Sequence, residues 1–107
     1  MGDVAMEGVQ EIDQVDLAGV DMVSVLQALS DPVRLEIVRQ LSCSGPVPCG
    51  HVVLEVTKST ASHHFKTLRL AGVIAQQDEG TRRNTWLRRE ELDARFPGLL
   101  DAVLREA

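Results

Sequence analysis

Apolar residues recur every three or four positions along most of this chain, the repeat of helices that bury one face. Leu17, Val20, Val23, Leu26 and Leu29 form the first stripe and predict a helix from about Leu17, although Gly19 inside it lowers helix propensity. Ser30-Asp31-Pro32 breaks the stripe and restarts it, because Asp31 can cap a new helix and Pro32 suits its first position. Val33, Ile37, Val38 and Leu41 then predict a second helix with one apolar face. Gly45, Pro46 and Pro48 cannot continue it, so residues 42–48 are expected as a loop. The β-branched apolar run at residues 50–56 fits a strand as well as a short helix.

Thr57 offers a capping hydroxyl to the clearest helix, Lys58 to Ala71, whose Ala61, Phe65, Leu68 and Ala71 share one side and which stops at Gly72. Val73–Gln77 and Thr85–Arg88 flank the polar stretch Asp78–Asn84, as in a hairpin with a longer loop. Glu90–Glu106 is helical in pattern, but Pro97 must divide it. Residues 1–15 are acidic, lack periodicity and are expected to form a mobile arm, leaving 16–107 as one domain. The expected class is therefore mainly α with a small β-hairpin (α+β), and the order of elements is that of a winged helix-turn-helix.

Length supports that division, since 107 residues with 44% hydrophobic content make one core and not two. Only Phe65, Trp86 and Phe96 are aromatic, so aliphatic residues build the core. The chain opens without a basic, apolar leader, and no stretch reaches the roughly 20 apolar residues of a membrane span, so a cytoplasmic protein is expected. Two cysteines in that setting are weak grounds for a structural disulfide.

A net charge of −5 argues at first against a nucleic-acid partner, but its distribution changes the picture. Residues 1–31 hold seven acids and no base. From Lys58 to Arg89 there are seven bases (Lys58, Lys66, Arg69, Arg82, Arg83, Arg88, Arg89) against two acids, so this segment is the one expected to face DNA. Within it, helical spacing puts Ser59, His63 and Lys66 opposite Ala61, Phe65 and Leu68. Ser59, Thr60, Ser62, His63 and Lys66 are donors and acceptors of the kind that read base edges and phosphates in a major groove. The plainer reading of such a face is a solvated amphipathic helix. Leu70 also falls on the outward arc and is expected to pack under the hairpin.

Three runs bear on the choice between these readings: Leu26-Gln-Ala-Leu-Ser-Asp-Pro-Val-Arg-Leu-Glu-Ile-Val-Arg39, Lys58-Ser-Thr-Ala-Ser-His-His-Phe-Lys-Thr-Leu-Arg-Leu-Ala-Gly-Val-Ile74 and Glu79-Gly-Thr-Arg-Arg83. Together they resemble the ArsR/SmtB family of prokaryotic repressors, from about residue 20 to the C-terminus. The resemblance implies a homodimer joined by its first and last helices, bound to a palindromic operator in double-stranded DNA. It implies that Ser59, Thr60, Ser62 and His63 touch bases or nearby phosphates, that Lys58 and Lys66 lie on the backbone, and that Arg82 and Arg83 act from the wing. His64, nearer the packed face, fits either a DNA contact or a structural hydrogen bond.

Many members of that family release DNA on binding a metal or metalloid, and here the sequence departs from their patterns. The last helix has Asp93, Asp101 and Glu106 but no histidine, which suits zinc poorly. Instead Cys43, Cys49 and His51 cluster in and beside the proline-rich loop. Three readings stay open for them: ordinary small residues without a ligand, thiolate and imidazole donors to a soft metal or metalloid ion, or a redox-linked thiol pair. No other cofactor is expected. A nucleophile-and-base enzyme is disfavoured because His63 and His64 lie on a short helix with little room for a pocket. The remaining rival is a winged-helix protein-interaction module that does not bind DNA.

Overall fold

Asp31 stands between the first two helices and decides where the second begins. Its Oδ1 accepts the backbone N–H of Val33 at 2.8 Å and of Arg34 at 3.2 Å, and Pro32 takes the first helical position, where no N–H is needed. The computed structural model describes residues 9–11, 14–43, 47–48, 52–80 and 82–106. Its helices are α1 (Met22–Leu29), α2 (Pro32–Ser42), α3 (Lys58–Leu70), α4 (Arg89–Arg95) and α5 (Leu99–Glu106). Its strands are β1 (Val9–Glu11), β2 (Val47–Pro48), β3 (Ile74–Glu79) and β4 (Arg82–Leu87), joined antiparallel in the order β1-β3-β4-β2. This is the expected α+β class, with helices dominant and a hairpin after α3.

The first helix starts later than the apolar stripe suggests. Asp16 caps a 3-10 turn at Leu17–Gly19, and Asp21 caps α1 by accepting the Ser24 N–H at 2.9 Å. Two local caps thus split what periodicity alone reads as one helix. The 14–20 segment is instead a strap. Arg88 donates from Nη1 to the Val15 carbonyl at 2.8 Å, and Arg95 donates to the carbonyls of Leu17 at 3.3 Å and Val20 at 3.1 Å.

Other differences come from pairing across long stretches of chain. Within the expected arm, Val9–Glu11 pairs with β3, Val9 opposite Glu79 and Glu11 opposite Gln77. Within the expected 42–48 loop, Val47 and Pro48 pair with Thr85 and Asn84. The hairpin strands run to Glu79 and Arg82, leaving residues 80–81 between them rather than a longer loop, and Gly80 supplies the positive φ of 68° that the turn demands. Of the ambiguous run at residues 50–56, Val52–Val56 is neither helix nor strand, and residues 50–51 lie outside the described residues.

The core lies where α1, α2 and α3 meet the base of the hairpin. Val25, Ile37, Val38, Leu68, Val73 and Ile74 are almost wholly buried, and Leu92, Phe96 and Leu100 close it from the C-terminal side. The end of α3 is tied in by paired hydrogen bonds: the N–H of Val73 reaches the Leu68 carbonyl and that of Gly72 the Arg69 carbonyl, both at 3.0 Å. That pairing needs a left-handed residue, and Gly72 has φ 82°. A Cβ there would also sit 2.5 Å from Leu17 Cδ2, so the strap would have to shift to admit any other side chain.

Candidate nucleic-acid interface

Thr57 organises the start of α3. Its Oγ1 accepts the Thr60 N–H at 3.2 Å, donates to Thr60 Oγ1 at 2.9 Å and lies 3.4 Å from Ser59 Oγ, gathering three hydroxyls at the positive end of the helix. Phe65 and Leu68 are buried and Ala61 packs against them. Lys58, Ser59, Thr60, Ser62, His63 and Lys66 are all exposed, so the structure brings the six predicted helix residues to the solvent side. Leu70 does not pack under the hairpin; it is 51% exposed.

His64 turns the other way. It is 9% exposed, and its Nδ1 lies 3.1 Å from Arg34 Nη1, which makes it a buried hydrogen-bonding residue rather than part of the outward face. The sequence pattern did not single out Arg34 as the partner of His64, since nothing local distinguishes it from a solvated helix arginine. A second tie joins α2 to the segment before α3: Gln40 Nε2 donates to the Val53 carbonyl at 2.8 Å, and its Oε1 accepts the Val53 N–H at 2.9 Å. Val52, Leu54 and Val56 are half-buried while Val53 and Glu55 are exposed, and the segment bends at residues 52, 55 and 56.

The wing carries less free charge than a count of bases suggests. Arg83 lies directly across the hairpin from Asp78 and donates to it from Nε at 2.7 Å and Nη2 at 3.3 Å, which holds the Asp78 carboxyl below its usual range. The backbone of Arg82 is opposite Glu79, and its side chain lies outside the described residues. Arg88 is buried, bound to both carboxylate oxygens of Glu91 and to the strap, and Arg89 pairs with Asp101 at 3.2 Å. The count of seven bases in this segment therefore overstates the charge it can turn outward, since that of Arg88 is committed to holding the fold.

Cys43 is exposed at the C-terminal cap of α2, whereas Cys49 and His51 lie outside the described residues. Among the described residues no group of three or more His, Cys, Asp or Glu side chains could hold a metal ion, and no helix is long and apolar enough to cross a membrane.

No protein-family model matches the chain. It is 39% identical over 82 residues to the HTH-type transcriptional regulator YceK of Bacillus subtilis, a match covering 74% of this chain and 82% of that protein. The arsenical resistance operon repressor of Staphylococcus xylosus is 32% identical over 74 residues, 68% of this chain and 71% of that one. A homolog of the cadmium resistance regulatory protein CadC from Staphylococcus aureus is 36% identical over 62 residues, 56% of this chain and 51% of that protein. A capped helix with a polar outward face, a hairpin directly behind it and these relatives lead to one assignment: the chain belongs to the ArsR/SmtB family of helix-turn-helix transcriptional regulators.

Proposed function

We propose that this chain is a sequence-specific repressor that binds a palindromic operator in double-stranded DNA as a homodimer and is released by an effector. The observation that carries the reading is the outward face of α3, where Lys58, Ser59, Thr60, Ser62, His63 and Lys66 are free of the core. Ser59, Thr60, Ser62 and His63 read the major groove, Lys58 and Lys66 engage phosphates, and Arg82 and Arg83 reach DNA from the wing. Two-fold symmetry through α1 and α5 is supported by an open apolar groove lined by Leu26, Leu29, Leu35, Ala102 and Val103, beside exposed Met22 and Val23. The reading places the protein in the cytoplasm and assigns it no catalytic residue.

For the effector, Cys43 with Cys49 and His51 would supply soft donors to a metal or metalloid ion, or two thiols to a redox change. The names of two relatives, with cadmium and arsenical resistance, favour the ion. The test is affinity for the duplex upstream of the protein's own coding sequence against a random duplex, with reduced protein, oxidised protein, and reduced protein plus arsenite, zinc or cadmium. His63→Ala should weaken the specific complex more than the random one. Retention on no duplex at low salt would instead favour a protein-interaction module, a reading that the net charge of −5 and the ion-paired Arg83 and Arg89 keep in play.

A further inference from the structure

We propose that Arg34 and His64 form a protonation-sensitive seat for α3, making both of them positioning residues for DNA recognition; the inference rests on the DNA-binding reading above. Arg34 Nε donates to the Ala28 carbonyl at 2.6 Å, Nη2 reaches the Gln27 carbonyl at 3.4 Å, and Nη1 meets His64 Nδ1 at 3.1 Å. Gln27 and Ala28 lie in the last turn of α1, where carbonyls carry partial negative charge, and the Gln27 carbonyl also accepts the Ser30 N–H at 3.2 Å and hydroxyl at 2.8 Å. One planar cation therefore joins the end of α1 to the inner side of α3, next to the outward His63.

The chemistry of the contact sets the state of the ring. A guanidinium has only donors, so His64 Nδ1 must be the acceptor, which requires a neutral imidazole with its proton on Nε2. A proton on Nδ1 would put two donors and two positive charges 3.1 Å apart. From α2, His64 is faced by Arg34 and by the field of Asp31, whose Oδ1 already accepts from Val33 and Arg34; from α3 it is faced by His63, with ring centroids 5.8 Å apart. The residues of α1 include no ionisable side chain, and Asp78 on β3 is engaged by Arg83. Asp31 supplies an attractive field for an imidazolium but not the acceptor that Nδ1 provides to Arg34. Acid therefore loosens the inner side of α3 and displaces the face that carries Ser62 and His63.

Two measurements decide it. In the DNA-free protein labelled with 15N-histidine, His64 is expected as the Nε2–H tautomer at neutral pH, and acidification is expected to shift α3 amides more in the wild type than in His64→Asn, whose side-chain oxygen replaces Nδ1 as a non-titrating acceptor. An Nδ1–H tautomer, or equal shifts in both proteins, overturns the seat. On the upstream duplex at fixed salt, from pH 7.5 to 5.5 the wild type should lose about tenfold more affinity than His64→Asn. His63 is common to both proteins and cancels. Parallel pH profiles overturn the inference, whereas failure of the wild type to retain any duplex sinks the DNA reading and leaves the NMR measurement to decide the seat. Arg34→Lys, which keeps the charge but loses the planar fork, should lose specific affinity at both pH values; full retention also overturns it.

Discussion

The Gln40 side-chain amide pairs with both backbone polar groups of Val53, as a neighbouring strand would. Its Nε2 also donates to Glu36 Oε2 at 2.8 Å, and Glu36 is held to about 2 by hydrogen bonds from Arg39 and then Gln40. A short polar relay on α2 thus fixes the irregular segment that leads into α3.

Gln40→Ala should destabilise the fold by about 1 kcal/mol, since the freed Val53 groups are exposed enough to rehydrate. It should also weaken specific DNA binding, because the residues before Thr57 lose their tether. Urea melts and affinity titrations check both. Unchanged values in both would show that the pairing is idle.

Asp78→Asn should weaken the hold on Arg83 and favour its contact with phosphate. The expected result is tighter DNA binding with a salt dependence steeper by about one unit of log–log slope, and a stability change under about 1 kcal/mol because the pair is largely exposed. Titrations across a range of potassium chloride concentrations read the slope; an unaltered slope would mean that Arg83 does not reach the duplex.

Gly72→Ala combines left-handed backbone strain with a collision against Leu17, and should cost about 2 kcal/mol or more. Thermal unfolding checks it. A loss of only a few tenths would mean that the strap shifts aside freely.

Acid should weaken the fold in a defined window. Folding lowers Glu36, Asp78, Glu91 and Asp31, the last despite the upward push of its burial, through hydrogen bonds and neighbouring arginines. Each contributes stability that is fully present above its unfolded value, 4.5 for Glu36, and is lost as pH falls toward its folded one, about 2 for Glu36. In His64→Asn, where the Arg34 contact does not titrate, urea midpoints should therefore hold steady from pH 7 to about 5 and drop below it. A midpoint that rises on acidification from 4.5 to 2.5 would contradict the assignment.

What could be read in advance was local. Asp31-Pro32, Thr57, Gly72 and Pro97 each act within a turn of their own position, and each marks a boundary where expected. The outward residues of α3 followed from helical period alone. What escaped depends on partners far along the chain: Arg88 meets Val15 across 73 residues, Arg34 meets His64 across 30, and β1 meets β3. Counting bases overstated the wing for the same reason, because composition does not say which arginines turn inward.

Val73 has a consequence for operator architecture. Its N–H closes the end of α3 on Leu68 while its carbonyl accepts the Arg88 N–H at 3.0 Å, so helix and hairpin share one pinned residue. On the DNA reading, the angular phase between major-groove and wing contacts is then invariant within a protomer. On the homodimer proposed above, half-sites would keep one internal length, and variation in operator length would fall in the spacer between them.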